Sequence, residues 1–131
     1  MAYGETTSPE IERVASQIVD AAYTVHSKSG PGLLESVYVT LLCIELAKRG
    51  LTVRRQVKVA LMYDGVEVDC DFRIDLLVND LVVVEVKAVH EVHPVFKAQV
   101  KTYLKLTGKR LGLLINFNVE YIKDGIRRII N

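Results

Sequence analysis

Leu81-Val82-Val83-Val84-Glu85-Val86-Lys87-Ala88 is the stretch that decides how this chain is read. The run is apolar enough to be a strand buried on both faces. Residues two apart on a strand point the same way, so Glu85 and Lys87 share one face. An ionised group in a packed interior is costly unless it is paired or binds a metal. Two opposite charges kept there imply use. Ten residues earlier, Asp75 closes another amphipathic strand. Asp75 with Glu85-x-Lys87 is how a magnesium-dependent phosphodiesterase would set two metal-binding carboxylates beside a lysine.

Working outward, Asn79-Asp80 reads as the turn before this strand, and the strand before the turn is very regular. Val66, Val68, Cys70, Phe72, Ile74 and Leu76 are expected on one face, covering a core. Glu67, Asp69, Asp71, Arg73 and Asp75 are expected on the other, on solvent or in a cleft. Asp64-Gly65 is a two-residue hairpin signal, preceded by strand-like alternation from Leu51 to about Tyr63. Ser8-Pro9-Glu10 starts a helix, and Ile11, Val14, Ala15, Ile18, Val19, Ala22 and Val25 give it one apolar stripe. Ser29-Gly30-Pro31-Gly32 breaks it. A second helix is expected from about Leu33 to Arg49, stopping at Gly50.

After Lys87, His90 to Pro94 reads as a loop, and a third helix runs from Pro94 to Thr107, ending at Gly108. A buried strand, Leu111 to Phe117, follows. The segment Glu120 to Ile130 reads as either strand or helix. The order is ααβββαβ in a single domain spanning 1–131, with 1–7 a loose tail.

Composition narrows the classes. Half the residues are hydrophobic and a quarter charged, which is globular rather than disordered. The net charge of +1 gives the whole molecule no nucleic-acid footprint, but residues 1–92 carry −5 and residues 93–131 carry +6. A basic C-terminal third hints at a polyanionic partner. Cys43 and Cys70 lack metal-binding spacing and sit at core positions, so they are expected to be buried and reduced. No apolar run reaches membrane-spanning length, and Met1 to Glu5 shows no signal-peptide pattern; a cytoplasmic protein is expected.

Further residues can carry chemistry. Magnesium takes oxygen ligands and keeps several waters, so Asp75, Glu85 and the Val86 carbonyl would suffice to hold it, and Lys87 would orient water or stabilise developing charge. Glu35, in the first turn of the second helix, would complete the site. Gln99 and Tyr103, at i and i+4, share one edge of the third helix, next to the core stripe of Phe96, Val100 and Leu104. Lys97, Lys101 and Lys105 form a basic ridge that, with Lys109, Arg110, Arg127 and Arg128, would contact a phosphate backbone. Arg73 is a further candidate for substrate contact. His26, His90 and His93 form no metal-ligand spacing; the last two follow the Glu85-x-Lys87 strand and read either as loop residues without a role or as lining the mouth of a cleft.

Gly32-x-x-Glu35-x-x-Tyr38 resembles the signature of the GxxExxY family, a branch of the PD-(D/E)XK nuclease superfamily. The resemblance runs from about Ile11 to Ile130. His26 ahead of Gly30-Pro31-Gly32, the Phe72–Val78 segment, Val84–Ala88, Gln99–Leu104 and Gly112–Phe117 all look like family blocks. It implies a restriction-endonuclease-like α/β core, a mixed sheet flanked by helices. It assigns Asp75 and Glu85 to Mg²⁺ or Mn²⁺, Lys87 to catalysis and Glu35 to the acid on the first core helix. Gln99-x-x-x-Tyr103 is similar to the motif of RecB-like exonucleases, but two cysteines exclude the four-cysteine iron–sulfur cluster of some of them. The expected function is metal-dependent hydrolysis of DNA. The alternative is a non-cleaving nucleic-acid-binding or accessory module. A homodimer is also plausible for a chain this small.

Overall fold

The computed structural model describes residues 6–131; the first five residues of the expected tail lie outside the described residues. Helix α1 (Pro9–Ser29) begins as the sequence dictates, with the Ser8 hydroxyl accepting from the Ile11 N–H and proline at the first turn. Helix α2 covers Glu35–Lys48. It starts two residues later than expected, because Leu34 is extended and cannot cap with its side chain. Strands β1 (Val53–Tyr63), β2 (Val66–Val78) and β3 (Val82–Lys87) follow, then α3 (Pro94–Thr107) and β4 (Leu111–Asn116). The ambiguous tail is a strand, β5 (Ile126–Ile130), reached through a single 3-10 turn at Ile122–Gly125.

The five strands form one mixed sheet in sequence order. β1–β2, β2–β3 and β4–β5 are antiparallel, and β3–β4 is parallel. Both hairpin turns have two residues with positive φ, Asp64-Gly65 and Asn79-Asp80, which matches the twist of the strands they join. α3 is the crossover that joins the parallel pair. It presses onto β4 so closely that a Cβ at Gly112 would lie 2.7 Å from Val100 Cγ1.

Each face of the sheet has its own core. Val82, Val84 and Val86 point to α1 and α2, where Ile18, Tyr38, Leu42 and Phe117 are buried. Val83 points the other way, to Val100, Tyr103 and Leu104 of α3. The odd-numbered face of β3, which includes Glu85 and Lys87, is therefore the α3 face.

β2 departs from the expected alternation. Ile74 and Leu77 pack in the α3 core, whereas Leu76 and Val78 pack in the α1–α2 core. The phase of the strand changes at Asp75. β1 changes phase with it: Val53 packs on the α1–α2 side and Val57 on the α3 side. Gln56, just before Val57, has φ of 51° and, like Asp75, falls between the paired residues Arg55–Leu76 and Val57–Ile74. A left-handed residue is uncommon outside glycine and re-aims the side chains around it. The outer half of β2 differs again. A second irregularity sets Val59 opposite Phe72 but Leu61 opposite Val68, and Val66 and Val68 are exposed rather than covering a core. Cys43 and Cys70 are free, as expected, but half-buried rather than buried.

Candidate active site

The β2–β3 ladder runs from Val78–Val82 to Leu76–Val84 and stops. Beyond that point side chains replace it. Glu85 Oε1 accepts from the Asp75 N–H at 3.0 Å, and Asp75 Oδ2 accepts from the Val86 N–H at 2.9 Å. Each carboxylate thus locks onto the other residue's strand, which fixes both rotamers. The phase change at Asp75 makes this possible. Among the described residues, Asp75 Oδ1 and Glu85 Oε2 take no backbone hydrogen bond, and Gln56 Nε2 approaches Oδ1 at 3.5 Å.

Two acids held this close, one of them 4% exposed, do not both ionise easily. Burial, and then the charge of Asp75, push the Glu85 carboxyl up to about 8, against the pull of Lys87. A bound cation would replace the retained proton. Among the described residues, no three His, Cys, Asp or Glu side chains converge into a metal cluster. The donor set is the two carboxylates of Asp75 and Glu85. It fits a hard cation that keeps most of its waters.

Lys87 is the last residue of β3, paired with Asn116 of β4. Its Nζ lies 4.4 Å from the centre of the Phe96 ring, in the first turn of α3. α3 lies over this part of the sheet. Its Tyr103 is buried, packs edge-on against Phe72 with ring centres 5.7 Å apart, and has its hydroxyl pushed up by burial and then by the charge of Glu85. Gln99 is half-buried one turn before Tyr103, on the edge between it and Phe96.

Glu35 opens α2 at the rim. Its carboxyl is pushed up, first by partial desolvation and then by Asp75, while Lys87 pulls it down. Those couplings place it within electrostatic reach of the pair, but it does not converge with them. The preceding loop is pinned by Tyr38, which is fully buried and stacks on Phe117 at 4.6 Å. The Tyr38 hydroxyl donates to the Gly30 carbonyl at 2.5 Å and accepts from the Leu33 N–H at 3.2 Å. Gly32, at φ of 103°, makes the bend that a side chain would resist.

The expected basic ridge is divided. Lys97 and Lys105 are exposed, but Lys101 Nζ donates to the Ile130 carbonyl at 2.9 Å, away from the carboxylate pair. Arg128 lies on the opposite face, paired with Glu12 of α1, and holds the Glu12 carboxyl down at about 2. Lys109 pairs with Asp80. Strand alternation separates Arg127 from Arg128, and ion pairing neutralises part of the rest. Arg73 is half-exposed and pairs with Asp71 at 3.2 Å.

Three residues acquire roles that the sequence reading did not assign. Asn116, 2% exposed, accepts from the Val89 N–H and donates to the Val89 carbonyl, both at 3.0 Å. It thereby extends the β3–β4 pairing past Lys87 and holds the following loop. The signal was present as a polar residue inside the expected buried strand, Leu111 to Phe117. His93 caps α3, its Nδ1 accepting from the Val95 N–H at 3.0 Å. His26 donates from Nε2 to the Val119 carbonyl at 2.7 Å, tying α1 to the segment after β4.

The sequence model of the PD-(D/E)XK nuclease superfamily matches residues 12–129. The chain belongs to that superfamily. Membership gives a nuclease-like domain whose substrate class is nucleic acid, and the five-stranded mixed sheet between helices agrees with the PD-(D/E)XK fold. The narrower GxxExxY resemblance rests on sequence motifs. No curated protein and no solved structure matches the chain significantly. Among the described residues, no helix of this PD-(D/E)XK domain is long and apolar enough to cross a membrane.

Proposed function

We propose that this PD-(D/E)XK domain is a nuclease dependent on Mg²⁺ or Mn²⁺ that hydrolyses phosphodiester bonds of DNA. The supporting observation is the interlocked Asp75–Glu85 pair with Lys87 on the same sheet face. Asp75, Glu85 and the Val86 carbonyl would hold the cation, with Glu35 at the rim as the further acid. When bound, the cation would polarise the phosphate and acidify water. The chain's own contribution is positional. The backbone hydrogen bonds to Asp75 and Glu85 hold their carboxylates without rotamer freedom, so little reorganisation is needed on binding. Lys87 places positive charge where the attacked phosphate gains negative charge. Water adds to phosphorus and one ester P–O bond breaks, leaving a phosphate monoester and a hydroxyl. Gln99 and Tyr103, with exposed Lys97 and Arg73, form the flank along which the strand is held. Lys101 contributes at most to the outer field.

The test is cleavage of end-labelled DNA and RNA, single- and double-stranded, with Mn²⁺ and with chelator. Wild type is expected to cut DNA only with metal, and Glu85→Ala and Lys87→Ala to be folded and inactive. Equal cleavage by wild type and both variants would refute the assignment. Salt-sensitive binding without turnover in any metal would leave a non-cleaving module.

A further inference from the structure

Lys87 lies within electrostatic reach of two acids without an ion pair to either among the described residues. Its charge acts on both Glu35 and Glu85, yet among the described residues its ammonium is in no ion pair within 4 Å. It sits instead over the Phe96 ring, 4.4 Å from its centre. A lysine side chain has four rotatable bonds and no preferred fork geometry, so something must choose its position. An aromatic face offers a cation a seat that an aliphatic side chain of the same bulk does not.

The seat is itself well supported. His93 caps α3, and its ring meets the Phe96 ring edge-on at 6.3 Å. The loop between Lys87 and His93 is clamped at Val89 by the Asn116 side chain. The base of Lys87 is held by the β3–β4 pairing and by the Phe117 N–H, which donates to the Lys87 carbonyl at 2.9 Å. Both ends of the contact are therefore fixed by the same few residues.

We infer that Phe96 is a positioning residue that holds the Lys87 ammonium beside the Asp75–Glu85 pair without letting it collapse onto those carboxylates. This rests on the reading of Lys87 as the catalytic lysine. The ring leaves the free carboxylate oxygens open to a cation while keeping the positive charge at the mouth of the site. Phe96 touches neither phosphate nor metal in this role; it acts through Lys87.

The test is a ring series at position 96 in the full chain: Phe96→Tyr, Phe96→Trp, Phe96→Leu, and pentafluorophenylalanine, which keeps the shape but removes the negative ring face. Two quantities are read. The first is the Lys87 ε-methylene proton shift by NMR, assigned against Lys87→Arg, which needs no turnover. Wild type and Tyr are expected to show an upfield ring-current shift that Leu loses. The second is metal-dependent cleavage at saturating metal. Tyr and Trp are expected to keep kcat, and Leu and the pentafluoro ring to lose about 5-fold in kcat with little change in KM, the size a partly desolvated cation–π contact supports. The pentafluoro variant keeps the test valid if Leu does not fold. An unshifted Lys87 in wild type, or full kcat with the pentafluoro ring, overturns the inference. A wild type that shows the ring-current shift but cuts nothing in any metal refutes the nuclease reading and leaves the Lys87 seat standing.

Discussion

The two halves of β2 obey opposite rules. The outer half, Val66 to Asp71, alternates with perfect regularity in sequence, yet both its valines are exposed, Val66 at 63% and Val68 at 40%. The inner half, Ile74 to Val78, breaks the alternation at Asp75 and is almost wholly buried. Met62 and Tyr63 of β1, beside it, are exposed as well, so among the described residues this end of the hairpin is uncovered. The inner half is sandwiched between two cores. Alternation reports which residues could share a face; burial depends on what packs there. The phase change at Asp75, not the alternation, is where the two carboxylates of the proposed site interlock.

Four experiments probe this difference, beginning with the largest expected effect. In the inner half, Glu85→Ala should lower metal-dependent cleavage on the order of 10³-fold, the scale of losing several kcal/mol of charge stabilisation. Circular dichroism should show the fold retained. A variant that unfolds would make Glu85 a structural residue first.

Asn116→Ala strips both partners from the Val89 backbone and should destabilise the protein by about 2–3 kcal/mol in urea melts. A loss below about 0.5 kcal/mol would mean that the loop after Lys87 finds other partners.

The third experiment concerns pH. The Glu85 carboxyl is raised in the fold, so the folded protein keeps a proton that the unfolded chain has released between its ordinary value near 4.5 and about 8. Metal-free stability should therefore fall as pH rises through that window, and Glu85→Gln should flatten the fall and be the more stable of the two at pH 8. Glu12 is depressed by its Arg128 hydrogen bond, so its contribution is lost only as pH falls from about 4.5 towards 2, outside that window. A Glu85→Gln profile with the wild-type slope would contradict the raised carboxyl.

The smallest effect belongs to the outer half. Val66→Thr should change stability by less than about 0.5 kcal/mol in the same melts, despite replacing a valine in an ideal strand pattern. A larger loss would show that the hairpin tip packs in solution against something absent from this chain's own fold.

Much of the candidate site was legible because charge stands out against an apolar run. Glu85 and Lys87 interrupt a valine strand, Asp75 ends the acidic face of β2, and Gln99 and Tyr103 mark one edge of α3. The fold order was legible for a similar reason: turns and caps punctuate the periodic segments. What the pattern could not carry was the left-handed Gln56, because glutamine gives no local sign of positive φ. It could not separate Arg127 from Arg128 before the tail was known to be a strand. Asn116 was legible by the logic applied to Glu85, a polar residue inside the expected buried run Leu111 to Phe117, but a neutral amide carries no charge that must be paired. Phe96 read only as part of an apolar stripe, and the structure adds the lysine above it.

The central claim is that the interlocked Asp75–Glu85 pair holds a divalent cation. The most direct test is calorimetric titration of Mn²⁺ into folded wild type and Glu85→Ala at pH 7.5, in two buffers of different ionisation enthalpy. Wild type should bind with a buffer-dependent heat, because the cation displaces the proton retained on the pair, and the variant should not bind. Equal binding to both proteins, or no binding to folded wild type, would contradict that claim.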